Sequence, residues 1–120
     1  MYDAYSLLID ILSEAKSEII IIDNYINKEV FDISWNIDRS IIVITKSFDD
    51  ILVQRYIQQY SILTIKNNNL FHDRYIILDR KTIYISGSAL KDIGKKYSYI
   101  YKINEEMFIE ELIKRVENIV

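Results

Sequence analysis

Unbroken apolar runs alternate with amphipathic stretches along this chain, and the two patterns predict different elements. Between Tyr2 and Ser17, the residues Leu7, Leu8, Ile11, Leu12 and Ala15 recur at helical spacing, which predicts an amphipathic first helix. Glu18-Ile19-Ile20-Ile21-Ile22-Asp23 follows as a β-branched run, the pattern of a strand buried on both faces. Asn24 to Trp35 is mixed, with Asn27 placed to cap a short helix through Val30 and Ile33. Ser40 to Thr45 repeats the buried-strand pattern, and Ser47-Phe48-Asp49-Asp50 opens a helix carrying Leu52, Val53, Tyr56 and Ile57. A third strand, Ser61 to Ile65, ends in Lys66-Asn67-Asn68-Asn69, where the asparagines predict a turn or loop.

The second half turns to antiparallel signals. Asp73 to Asp79 and Thr82 to Ser86 read as two strands joined at Arg80-Lys81, which is hairpin length although neither residue favours a turn. Ala89 to Lys95 predicts one or two helical turns ending at Gly94, and Tyr97 to Ile103 alternates like another strand. Asn104 is placed to cap a final helix with Phe108, Ile109, Leu112, Ile113, Val116 and Ile119 on its apolar side. This order predicts an α/β fold, a mixed β-sheet flanked by helices. No linker, repeat or low-complexity tract interrupts it, so residues 1–120 read as a single domain.

Composition narrows the chemistry. Cysteine is absent, which excludes disulfides and thiolate metal sites, and a single histidine argues against a His-based zinc centre. No metal and no cofactor are expected. No apolar run is long enough to span a membrane, and Met1-Tyr2-Asp3 lacks the basic head of a signal peptide, so a cytoplasmic protein without a membrane partner is expected. The net charge of −3 is unevenly spread. Residues 66–102 hold eight basic side chains against three acidic ones, while the remainder holds seven against fifteen. A basic region on an acidic body steers an anion to one place; lysines that merely solvate turns give the same count.

The residues His72-Asp73-Arg74-Tyr75-Ile76-Ile77-Leu78-Asp79, followed by Ser86-Gly87-Ser88, set the only histidine beside a cation and an anion-binding turn. In an extended strand His72 and Arg74 share a face, about 7 Å apart. A histidine can attack phosphorus when the site around it neutralises charge on the phosphoryl oxygens. Arg74 suits a bidentate phosphate clamp. Ser86, Gly87 and Ser88 offer hydroxyl and backbone donors, with Gly admitting close approach. A strict two-residue turn sets Gly87 opposite Arg74; a slip of one residue sets Ser86 opposite Arg74 and Ser88 opposite His72. The sequence leaves both registers open. Asp79 joins the candidate catalytic set as an orienting group, or else it ends the strand and caps the turn. Asp23 and Tyr25, at the end of a buried strand, are weaker site-lining candidates, because α/β folds bind ligands there.

The spacing resembles the HKD signature of the phospholipase D superfamily, His-x-Lys-x4-Asp followed by Gly-Ser, here His72-x-Arg74-x4-Asp79 and Gly87-Ser88. The opening resembles the family as well, with a helix ending in Ala15-Lys16 that runs into an apolar strand and Asp23-Asn24-Tyr25. Three departures stand out: Arg74 replaces the lysine, Leu90 stands where an asparagine is usual, and the Tyr97-Ser98 region lacks the carboxylate that often orients the histidine. The resemblance implies a phospholipase D-like domain with His72 as nucleophile and, in a homodimer, His72 of a second subunit as general acid. It implies metal-independent hydrolase chemistry, that of a phosphodiesterase or nuclease, with nucleic acid or a nucleotide as ligand. The alternative is a module of the same fold without turnover, which binds nucleic acid or a signalling nucleotide or serves to dimerise a larger system.

Overall fold

The computed structural model describes residues 4–24, 37–46, 51, 54–55, 63–69, 71–87 and 100–120. The expectations for Tyr25, the Asn27 helix, Ser88 to Lys95 and Tyr97 to Tyr99 lie outside these residues, as does most of the helix expected after Ser47, of which Ile51, Gln54 and Arg55 are described and helical.

Among the described residues six strands form one sheet. In chain order the elements are α1 (Ala4–Ser13), β1 (Glu18–Ile22), β2 (Ser40–Thr45), β3 (Leu63–Asn67), β4 (Arg74–Leu78), β5 (Thr82–Ser86), β6 (Ile100–Lys102) and α2 (Glu106–Glu117). The strands lie in the order β3-β2-β1-β4-β5-β6. The first three run parallel, and β4, β5 and β6 each pair antiparallel with the neighbour before them in that order. The mixed sheet expected from the sequence is therefore present.

Alternation along each strand sorts the apolar residues onto two faces. On one face Leu8, Ile11, Leu12 and Ala15 of the α1 region pack against Ile19, Ile21, Ile41, Val43, Ile76 and Leu78. On the other, Leu112 and Val116 of α2 pack against Ile20, Ile22, Ile44, Tyr75, Ile77 and Ile83. With both faces covered, every isoleucine of β1 is at most 1% exposed, which explains a run with no polar alternation. No helix among the described residues is long and apolar enough to cross a membrane.

Three boundaries differ from the sequence pattern, each for a tertiary reason. Asn67 stays in β3 opposite Thr45, and the Asn68 N–H donates to the Thr45 carbonyl at 3.0 Å, so the asparagines extend the ladder before they turn. Asn104 does not cap α2. The Ile103 N–H still donates to the Ile83 carbonyl at 2.8 Å, and the helix enters through Glu105, which makes no side-chain cap bond. The hairpin takes the slipped register, with Leu78 opposite Thr82 and Arg74 opposite Ser86, leaving Asp79, Arg80 and Lys81 in the turn.

That turn carries strain. Asp79 and Arg80 both lie at φ 55, and the Lys81 N–H donates to the Leu78 carbonyl at 3.0 Å, the hydrogen bond and φ signs of a type I′ turn. A left-handed conformation costs a residue with a β-carbon about 1–2 kcal/mol. Contacts from the α1–β1 connection hold it in place. The Asp79 carboxylate accepts backbone N–H bonds from Lys16 (2.8 Å), Ser17 (2.8 Å) and Glu18 (3.0 Å), and the Ser17 hydroxyl donates at 2.9 Å. Arg80 meets Glu18 through two N–H groups, Nε to Oε1 at 2.8 Å and Nη2 to Oε2 at 3.3 Å. Those backbone donors, first from Lys16 and then from Glu18 and Ser17, hold the Asp79 carboxyl well below the usual carboxylate range.

Two outcomes follow from this packing. Ile77 is fully buried, so Ile77→Ala lowers unfolding free energy by about 2–5 kcal/mol in urea titration. Because the folded-state pKa of Asp79 is depressed, its charge stabilises the fold fully above the ordinary aspartate range and loses that effect as pH falls. The urea midpoints of wild type and Asp79→Asn therefore lie furthest apart near neutrality and converge as pH drops below about 4. A gap that stays constant across that range would assign the anchor to shape rather than charge.

Candidate functional site

Asp23, Thr45 and Ser86 are the buried polar or charged residues among those described, and all three stand at one end of the sheet. The strand register brings them together. Asn67 pairs with Thr45 across β3 and β2, and Arg74 pairs with Ser86 across β4 and β5. Ile22 of β1 is opposite both Ile44 and Tyr75, so the next residue, Asp23, falls between Thr45 and Arg74. The Asp23 N–H continues the ladder by donating to the Ile44 carbonyl at 3.1 Å.

Side-chain alternation then fixes the face. Ile21, Val43, Ile65, Ile76 and Tyr84 pack toward α1, and each member of the row lies two residues from one of them. Asn67, Thr45, Asp23, Arg74 and Ser86 thus form a polar row across five strands, on the α1 face and at the carboxyl end of the parallel strands. Successive strands leave β1 on one side for β2 and β3 and on the other for β4, β5 and β6. Such a switch point is where open α/β sheets bind ligands.

Within the row, Arg74 Nε stands 4.0 Å from Asp23 Oδ1, with the Asp23 side chain fully buried and that of Arg74 26% exposed. A carboxylate removed from water needs such a partner. Ser86 is only 4% exposed, so its hydroxyl belongs to the buried row, and the Gly87 that follows is exposed.

His72 is exposed and precedes the first residue of β4 by two positions. Strand alternation therefore directs Arg74 but does not reach His72, contrary to the simple two-residue expectation. Other contacts hold that segment. Phe71, 3% exposed, buries its ring in the core under α2, and its carbonyl accepts a hydrogen bond from the Asn24 amide at 2.9 Å. The Arg115 guanidinium lies 4.9 Å from the centre of the Phe71 ring, a cation–π contact. On the other side of His72, Asp73 accepts a hydrogen bond from the Tyr75 hydroxyl at 3.3 Å. Burial, and then the Asp73 carboxylate, push the Tyr75 phenol up to about 12, while Arg115 works the other way. Tyr75 therefore acts as a proton-bearing donor near neutral pH rather than as a base.

The sequence candidates separate into two groups. Asp23, Arg74, Ser86 and Gly87 converge at one end of the sheet, with His72 beside them. Asp79 does not join them, because it lies at the opposite end of β4, on the order of 20 Å from His72 by strand rise. Its carboxylate is taken up by the α1–β1 donors, which excludes an orienting contact with His72 of the same subunit. Tyr25 and Ser88 lie outside the described residues. Thr45, Asn67 and Asn24 were missed as candidates. The available signal was phase: Asp23 and Thr45 each end a buried β-branched run in step with its α1-facing positions. No group of three or more His, Asp or Glu that could hold a metal occurs among the described residues.

No protein-family model matches the sequence, and no curated protein matches it. Solved structures do. NucT from Helicobacter pylori matches with a TM-score of 0.69 at 13% identity, over 98% of this chain and 87% of that one. TrmBL2, an archaeal chromatin protein whose structure shows a novel mode of DNA binding, matches with a TM-score of 0.59 at 17% identity, over 96% of this chain. This chain spans 47% of TrmBL2. At such identities the likeness speaks for architecture alone. The architecture shared with NucT is a mixed six-stranded sheet between helices.

Proposed function

We propose that this protein is a phosphodiester-binding, metal-independent phosphodiesterase of phospholipase D type, acting on nucleic acid through His72. The observation that carries this reading is the placement of Arg74, at a quarter exposure, over buried Asp23 at the switch point of the sheet, with exposed His72 just upstream. A guanidinium beside a buried carboxylate is a fork of N–H donors whose geometry suits a phosphate. Exposed Lys46 and Lys66, at the same end of β2 and β3, favour a polyanion over a small neutral ligand. The resemblance in fold to a DNA-binding chromatin protein agrees with that choice.

In this reading the His72 ring nitrogen forms a bond to phosphorus as the phosphorus–oxygen bond to the leaving alcohol breaks. The leaving oxygen takes a proton from His72 of the partner subunit. Water then attacks the phosphohistidine, giving a proton back to His72 of the partner subunit, breaking the nitrogen–phosphorus bond and releasing the phosphate monoester. Arg74 and the donors around Gly87 and Ser88 neutralise charge on the non-bridging oxygens throughout. The chain contains one histidine, so two-imidazole chemistry requires a second copy, and a homodimer is part of the proposal.

Three measurements test it together. Size-exclusion mass gives a dimer, and a labelled single-stranded oligonucleotide is cleaved equally well with and without a chelator. His72→Ala reduces cleavage by roughly a thousandfold or more. Arg74→Ala weakens binding and lowers the salt-dependence slope by about one ion. Full cleavage by His72→Ala, or its abolition by chelation, would overturn the mechanism. Salt-sensitive binding without any product, unchanged in His72→Ala, would instead identify a non-catalytic binding module.

A further inference from the structure

We infer that Asn24 is a positioning residue for His72, its side-chain amide fixing through the Phe71 carbonyl where the imidazole stands relative to Arg74. The inference rests on the reading of His72 as the group that meets phosphorus. Its basis is geometric. His72 lies outside the β4 ladder, so no strand pairing of its own fixes its backbone. Phe71, the residue before it, is fixed three times: its ring is buried in the α2-side core, Arg115 lies against that ring at 4.9 Å, and Asn24 Nδ2 donates to its carbonyl at 2.9 Å.

Of these contacts, the Asn24 bond alone reaches the backbone that carries His72, and it comes from the residue after Asp23. Asp23 is the carboxylate beside Arg74. Two consecutive residues at the end of β1 thus each govern one reacting group, Asp23 the guanidinium and Asn24 the imidazole. The central strand thereby sets the distance between the nucleophile and the phosphate clamp. A displacement of about 1 Å between such groups can cost a hundredfold in rate.

Asn24→Asp is nearly isosteric and turns the donor into an acceptor that repels the Phe71 carbonyl. Because His72 is the sole histidine, 15N-histidine labelling of the full chain gives the signals of a single imidazole, read here against inorganic phosphate. In Asn24→Asp, kcat on the labelled oligonucleotide falls about a hundredfold while KM stays within about threefold. The imidazole signal moves, and its response to saturating phosphate is lost although calorimetry still detects phosphate binding. Asn24→Gln, which keeps the donor, restores part of both. An unchanged kcat with a wild-type imidazole response would overturn the inference, as would a joint loss of kcat and KM with that response intact. If wild type proves unable to cleave, the phosphodiesterase reading fails, yet the imidazole comparison still decides: a response present in wild type and lost in the variant upholds the role of Asn24, and equal responses refute it. No response to phosphate in wild type refutes both. Should Asn24→Asp not fold, Asn24→Ala, read by the same signal, takes its place.

Discussion

The pairing of β1 with β2 on one side and β4 on the other is the constraint from which the site follows. Ile22 stands opposite Ile44 in a parallel ladder and opposite Tyr75 in an antiparallel one. A shift of either register by one residue would reverse the faces of the whole neighbouring strand and carry Thr45 or Arg74 to the α2 side, away from Asp23. Both faces of the sheet are apolar, so the ladder pairing itself sets Asp23 between Thr45 and Arg74.

The two ends of β4 divide the labour. At its carboxyl end, strain in the Asp79-Arg80 turn is held by four donors to one carboxylate and by a bidentate ion pair to Glu18. Residues in sparsely populated backbone regions persist where surrounding contacts over-determine them. Here they fasten the α1–β1 connection to the β4–β5 hairpin, away from the site. At the amino end the strand simply begins at Arg74, and the chain before it depends on side-chain contacts from β1 and α2.

Much of the architecture was legible. Glu18 to Asp23 and Ser40 to Thr45 announced themselves as buried strands because β-branched residues fill both faces, and β2 has the bounds expected of it. The apolar stripe of the last helix was equally plain. The hairpin register was not, because it depends on a left-handed turn that Asp79 tolerates but for which Arg80 has no local preference. What stabilises them lies 61 to 63 residues earlier in the chain, at Lys16, Ser17 and Glu18. The same distance hid the placement of Asp79, which motif spacing assigned to the site. Thr45 and Asn24 went unnoticed for a related reason: their significance arises only when β2 and β4 are laid beside β1. Arg74 was legible as a candidate in the sequence, although its approach to Asp23 was not.

An arginine at position 74 suits what lies beneath it, the fully buried Asp23 carboxylate. A lysine ammonium is a point charge. A guanidinium is a planar fork with five N–H groups and delocalised charge. The Arg74 Nε lies 4.0 Å from Asp23 Oδ1, with 26% of the arginine side chain exposed. One side chain can then neutralise the buried acid and still offer paired donors to a tetrahedral anion. The guanidinium and the buried aspartate are thus one feature, set side by side by the β1–β4 register.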